Sequence, residues 1–235
     1  MGRWSNGKTL PSQGSNSGFD SRSVHTMKKK LIKYWEESNI IKDKRILKAL
    51  EKVPREDFIL KEHKEHAYVD QPLPIMKDQT ISQPTTVAMM TQALEPKEGQ
   101  KILEIGSGSG YQAAILSEIV GPKGKIITIE RLHELFDYAK DKLKDYSNTE
   151  VILGDGTKGY EKKAPYDRIM VTAAAPSIPE PLFKQLKNNG ILVIPVGSGL
   201  MGQYMLKVKK VKGKQEIENL GSFVFVPLIG EFGFK

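Results

Sequence analysis

Apolar positions recur with two different periods along this chain, and the change between them falls near residue 100. Before it, Leu31, Ile32 and Trp35 mark one face of a short amphipathic helix, and Ile46, Leu47 and Leu50 mark a second. Val53-Pro54 ends the second, because a proline disfavours helical geometry in the residue before it. A long irregular stretch follows, broken by Pro72, Pro74 and Pro84; such loops in a compact domain are usually functional or disordered. Thr85–Leu94 then predicts a helix, with Pro84 just ahead of its first turn.

After residue 100, short apolar strands at Lys101–Ile105, Lys125–Glu130, Glu150–Leu153, Asp167–Thr172 and Ile191–Pro195 alternate with helical segments. The helices are Tyr111–Val120, the face Leu132, Leu135, Phe136, Ala139 and Leu143, and a segment near Pro181–Leu186. This alternation predicts an α/β fold, a doubly wound and mostly parallel sheet covered on both faces. Tyr204–Val211, a Lys-Gly-Lys turn at 212–214 and Ile217–Val226 read as a hairpin, predicting antiparallel strands that close one edge. No internal repeat is present.

One domain is therefore expected over 27–235, with N-terminal helices and a loop region at 27–99, a core at 100–200 and a β segment at 201–235. Ahead of it, Met1–Thr26 holds ten Ser or Gly residues and scattered apolar side chains (Trp4, Leu10, Phe19, Val24). It has neither a repeating apolar face nor the apolar centre of a secretory signal, and reads as a flexible leader before Met27.

Composition narrows the chemistry. With 39% hydrophobic residues in 235 the chain can build a sizeable core, and no apolar run approaches the roughly 20 residues that cross a bilayer. Zero cysteines exclude disulfides, thiol nucleophiles and Cys-ligated metal, and suit a reducing cytoplasm. Of the four histidines, His63 and His66 lie three apart without a third ligand, so no metal is expected. The net charge of +8 permits an acidic partner. The basic hairpin (Lys207, Lys209, Lys210, Lys212, Lys214) reads as edge lysines that discourage strand association rather than as a nucleic-acid surface.

Glu104-Ile105-Gly106-Ser107-Gly108-Ser109-Gly110 stands where the first strand of the alternating region turns into a helix. Glycines there permit tight curvature and let a ligand approach main-chain N–H groups. Counting from Gly106, Tyr111 occupies the third-glycine position of the dinucleotide pattern, so G-x-G-x-G favours S-adenosylmethionine over a nicotinamide dinucleotide. Glu130 ends the next strand, 20 residues after Gly110, where a carboxylate can accept from a ribose diol. Gly154-Asp155-Gly156 follows the third strand; Asp155 can accept from an exocyclic amine such as adenine N6, or form a plain Asx turn. The expected cofactor contacts are Glu104, Gly106, Ser107, Gly108, Gly110, Glu130, Asp155 and Gly156.

Several further stretches are distinctive: Val53-Pro54-Arg55-Glu56, Leu73-Pro74-Ile75, Gln79-Thr80-Ile81-Ser82-Gln83-Pro84 and Ile102 to Gln112. Gly154-Asp155-Gly156, Tyr166-Asp167, Val171-Thr172-Ala173-Ala174-Ala175-Pro176, Ile194-Pro195-Val196-Gly197 and Phe225-Val226-Pro227-Leu228 follow in order. In these stretches and their order, over roughly residues 30–235, the chain resembles the protein-L-isoaspartate O-methyltransferase family, its archaeal and bacterial members most. The glycine loop is common to many methyltransferases; the Thr-Ile-Ser-Gln-Pro, Val-Thr-Ala-Ala-Ala-Pro and Phe-Val-Pro-Leu elements are far more specific. One departure is Met76-Lys77-Asp78, where the family often has a glycine before Gln79-Thr80.

The resemblance implies a carboxyl O-methyltransferase that moves the methyl of S-adenosylmethionine to the α-carboxylate of L-isoaspartyl residues in damaged polypeptides, starting their repair through a succinimide. It places the catalytic serine at Ser82, with Thr80, Ile81 and Val226 toward the peptide, and suggests a cytoplasmic monomer. Position alone also allows Ser82 to cap the helix after Pro84. An RNA methyltransferase would suit the positive charge, but Val171-Thr172-Ala173-Ala174-Ala175-Pro176 stands where an Asp/Asn-Pro-Pro-aromatic element is expected. A cofactor-binding module without activity and a nicotinamide dehydrogenase are the remaining alternatives.

Overall fold

The computed structural model describes residues 21–198 and 202–235. The chain opens with α1 (Ser21–Glu37) and α2 (Lys44–Lys52), followed by 3-10 turns at Arg55–Asp57 and Lys61–His66. A small antiparallel pair, β1 (Leu73–Pro74) and β2 (Thr80–Ile81), leads into α3 (Pro84–Leu94). The alternating region is β3 (Lys101–Ile105), α4 (Tyr111–Val120), β4 (Lys125–Glu130), α5 (His133–Lys142), β5 (Thr149–Leu153), β6 (Tyr166–Val171), α6 (Glu180–Gln185) and β7 (Leu186–Ser198). It ends on β8 (Gly202–Val211) and β9 (Lys214–Phe223).

The seven larger strands form one sheet in the order β5-β4-β3-β6-β7-β8-β9. β3 to β7 run parallel, and β8 and β9 return antiparallel. The chain builds outward from β3 to β5, then crosses back to lay β6 on the other side of β3. That reversal is the topological switch point, where open α/β sheets bind ligands beyond the carboxyl ends of their strands.

Strand parity divides the core. Ile102, Ile126 and Met170 pack with the helices α1 to α5, whereas Leu103, Ile105, Ile127, Ile129, Ile169 and Val171 face Leu182, Leu186 and Leu228. Side chains alternate faces at every residue of a strand, so these continuous apolar runs serve both layers. The second face has a thinner cover than the alternation implies: α6, short 3-10 turns and the C-terminal residues.

Three expectations shift. The first helix begins at Ser21, six residues inside the expected leader, because Val24 is buried and extends the stripe Val24, Leu31, Trp35 backwards; residues 1–20 lie outside the described residues. Lys207, Lys209 and Lys210 sit on β8, which is covered by β9, so they are not edge lysines. Lys207 and Lys209 face Glu218 and Glu216 across the pair, and Lys210 Nζ donates to the carbonyls of Phe183 and Leu186. The hairpin strand also stops at Phe223, leaving Val226 outside the ladder.

The β1–β2 turn puts Lys77 at φ 59° and Asp78 at φ 55°, with Gln79 N–H donating to the Met76 carbonyl. Positive φ at both central residues marks a type I′ turn, which favours Asn-Gly. Lys77→Asn with Asp78→Gly is expected to stabilise the chain by about 1 kcal/mol, read as a Tm increase of about 2–4 °C. An unchanged or lower Tm would show that the turn carries no strain.

Candidate active site

At the carboxyl ends of β3, β4 and β6 two cavities adjoin. The larger, about 130 Å³, is lined by Gly106 and Gly108, by Ile129, Glu130, Arg131 and Leu132 from the end of β4, by Thr172, and by Val226 to Ile229. Gln79 and Thr80 close it from the β1–β2 side. The smaller, about 50 Å³, lies between the Thr80-Ile81-Ser82 segment and the glycine loop and has Glu104, Ser107, Tyr111 and Gln112 in its wall. Thr80, Gly106, Gly108 and Thr172 belong to both.

The glycine loop takes its shape from positive φ at Gly106 (91°), Gly108 (52°) and Gly110 (87°). A Cβ on Gly106 would stand 2.5 Å from Thr172 Oγ1, so any side chain here would have to displace the Thr172 hydroxyl at the end of β6. Thr172 uses that proximity: its hydroxyl lies 3.0 Å from the Ile105 carbonyl and 2.8 Å from that of Gly106. Glu130 fixes the other side, accepting from Gly108 N–H at 3.0 Å through Oε2 and from the N–H groups of Arg131 and Leu132 through Oε1. Oε2 retains a lone-pair site, so the carboxylate can still accept from a ribose hydroxyl.

Glu104 is fully buried, directly opposite Thr128 in the β3–β4 register. Thr128 Oγ1 donates to its Oε2 at 2.5 Å, while Oε1 has no partner among the described residues. An orphaned carboxyl oxygen in the wall of a cavity is a place for a ligand's donor or positive charge. With three loop glycines and Glu130 beside it, this donor set fits a cationic nucleoside such as S-adenosylmethionine. Among the described residues, no group of three His, Cys, Asp or Glu side chains could hold a metal ion.

Ser82 lies between β2 and α3, and its hydroxyl makes no hydrogen bond to another described residue. The capping alternative fails: the N-cap position of α3 is Gln83, without a side-chain cap. Asp70 satisfies this helix start from elsewhere, accepting from Thr85 N–H at 2.9 Å, Thr85 Oγ1 at 2.7 Å and Gln83 Nε2 at 3.0 Å. The Ser82 hydroxyl therefore has no part in starting this helix.

Two expected contacts stand apart. Gly110 shapes the turn into α4, where an added Cβ would meet Leu143. Asp155 forms the Asx turn: Oδ1 accepts from Thr157 N–H and Oγ1, and Oδ2 from Glu231 N–H at 2.9 Å. It thus ties the C-terminal residues to the loop after β5, beside the Lys158–Glu231 ion pair. Burial pushes the Asp155 carboxyl up, but these hydrogen bonds outweigh it and hold it below its ordinary value. The resulting stability is present above the unfolded pKa near 3.9 and is lost as pH falls through the lower folded value. Asp155→Ala is expected to remove about 1–3 kcal/mol at neutral pH and to flatten the acid limb of Tm measured from pH 2 to 6. A Tm equal to that of the parent would detach the tail from this carboxylate.

Thr128, Thr172 and the Arg131-Leu132 wall were not singled out by sequence reasoning. Thr128 carries a legible signal, a lone hydroxyl inside Lys125–Glu130 that parallel pairing sets opposite the lone acid of β3.

Known proteins share this fold and much of this sequence. The sequence profile of the family described as protein-L-isoaspartate(D-aspartate) O-methyltransferase (PCMT) matches residues 26–233. A Methanopyrus kandleri protein named protein-L-isoaspartate O-methyltransferase is 46% identical over 219 residues, 92% of this chain and 97% of its own. An Archaeoglobus fulgidus protein named protein-L-isoaspartate O-methyltransferase 2 is 52% identical over 195 residues, 82% and 88% of the two chains. Among solved structures, a protein-L-isoaspartate O-methyltransferase superposes with a TM-score of 0.81 at 29% identity, covering 88% of this chain and 67% of that one. A Plasmodium falciparum beta-aspartate methyltransferase (PCMT), in complex with S-adenosyl-L-homocysteine, gives 0.75 at 25% identity, covering 86% and 97%. By profile, relatives and fold alike, the chain belongs to the protein-L-isoaspartate(D-aspartate) O-methyltransferase family.

Proposed function

We infer that this chain transfers a methyl group from S-adenosylmethionine to the α-carboxylate of L-isoaspartyl residues in damaged polypeptides, beginning their repair through a succinimide. One observation carries the reading: the partner-free Ser82 hydroxyl shares a cavity wall with the glycine loop and the orphaned oxygen of Glu104. The nucleoside cleft and the polar loop therefore open on the same few ångströms of space.

When bound, the sulfonium supplies an electrophilic methyl. The glycine loop and Glu130 hold the nucleoside end, with Leu132 and Leu135 as the apolar wall. The acceptor carboxylate is already ionised at neutral pH, so no general base is required, and neither cavity is lined by histidine or lysine. What remains is alignment, which can supply roughly 7–11 kcal/mol of barrier reduction. Ser82 donates to the carboxylate and orients it, Thr80 and Ile81 line the approach, and the Val226 segment borders the peptide. That segment is fixed from behind by Ala174, whose N–H donates to the Val226 carbonyl at 2.8 Å and whose carbonyl accepts from Leu228 N–H at 2.7 Å.

The test is methyl transfer to an isoaspartyl peptide beside its normal aspartyl twin, with an RNA pool as a third substrate. Labelling of the isoaspartyl peptide alone is expected. Equal labelling of both peptides, or of neither, overturns the assignment, and salt-sensitive labelling of RNA would put the alternative in its place.

A further inference from the structure

Glu104 is surrounded by groups that cannot neutralise a charge. β4 presents Thr128 and Glu130, β6 pairs with it through Met170, and the cavity wall adds Ser82, Val87, Met90, Ser107, Tyr111 and Gln112. None is a lysine, arginine or histidine, and Glu130 is itself an acid. Thr128 has a single hydroxyl proton and gives it to Oε2, so Ser107 is the donor in the 2.7 Å contact between the two hydroxyls. This relay supplies one hydrogen bond to the carboxyl and leaves Oε1 bare. A buried carboxylate so placed takes up a proton rather than remain uncompensated. Burial pushes the Glu104 carboxyl up, the Thr128 bond draws it partly back, and Glu130 pushes it up again, to about 8.

We propose that Glu104 is a neutral acid in the ligand-free protein and releases its proton to solvent when the cationic cofactor comes within reach of Oε1, so that binding and deprotonation are one coupled step. The inference rests on the cofactor reading above and goes beyond it. The O–H bond of the carboxyl breaks, its electron pair stays on the carboxylate that faces the ligand's positive charge, and the proton passes to buffer. Below the Glu104 pKa, apparent affinity should rise about tenfold per pH unit, levelling off above about pH 8.

The experiment is calorimetric titration with S-adenosylmethionine at pH 7, in phosphate and in Tris, for the intact chain and for Glu104→Gln. The parent is expected to release close to one proton more per site than the variant. Binding with the same proton count in both overturns the coupling alone, whereas no binding to the parent overturns it together with the cofactor assignment. Thermal unfolding without ligand supplies a second readout that survives weak binding by the variant. The folded acid has the higher pKa, so the folded state holds a proton that the unfolded state has lost. Parental stability should therefore fall as pH rises from about 5 to 8 relative to Glu104→Gln. Parallel curves for the two proteins would show that Glu104 is ionised throughout and overturn the proposal.

Discussion

Gly106→Ala is expected to abolish cofactor binding while leaving a chain that folds, less stable by about 2–3 kcal/mol. The φ of 91° at this position disfavours any L side chain, at roughly 1–2 kcal/mol. The new Cβ would also stand 2.5 Å from Thr172 Oγ1. Thr172 can relieve that contact by turning away, losing the hydrogen bond that its single hydroxyl proton shares between the Ile105 and Gly106 carbonyls, worth about 1 kcal/mol. The sum corresponds to a Tm decrease of about 8 °C. Binding suffers more than stability because Gly106 and Thr172 line both cavities. Gly154→Ala is the control: a Cβ there meets nothing within 4 Å and φ is not positive, so its effect should stay within about 0.5 kcal/mol. Titration calorimetry and thermal melts of the two variants decide it; parental affinity in Gly106→Ala would remove the glycine loop from the ligand site.

Which parts of this were legible beforehand follows from how local their causes are. The glycine loop could be read because close approach to β6 leaves only a hydrogen at Gly106, and a glycine spacing is visible in one dimension. Glu130 could be read because the end of a parallel strand fixes which way its last residue faces. Asp155 is legible only as two alternatives, since an Asx turn and a ligand-binding acid share one local sequence, and its bond to Glu231 N–H, 76 residues further on, is invisible in that sequence. The lysines of β8 read as edge residues in sequence because a hairpin pattern does not say which of its strands lies outside. Val24 was lost among serines, since one buried residue changes neither composition nor visible periodicity, yet it decides where α1 begins.

Ser82→Ala is expected to lower turnover by about 10- to 100-fold while changing cofactor affinity by no more than about twofold. A hydrogen bond to a charged partner contributes about 1.5–3 kcal/mol, which sets that rate range if the hydroxyl meets the acceptor carboxylate in the transition state. The protein should otherwise be indifferent to the change. The hydroxyl has no partner to abandon among the described residues, α3 is held at its start by Asp70 rather than by Ser82, and stability should move by less than about 0.5 kcal/mol. Asp70→Ala supplies the contrast, because it removes acceptors from Thr85 and Gln83 and loosens the segment that carries Ser82; stability and turnover should fall together there. Steady-state kinetics on an isoaspartyl peptide, with binding measured separately, distinguishes the cases. A Ser82→Ala chain that loses affinity and turnover in equal proportion would place this hydroxyl in the architecture of the loop, and the donor to the substrate would then have to be sought at Thr80 or among the main-chain N–H groups beside it.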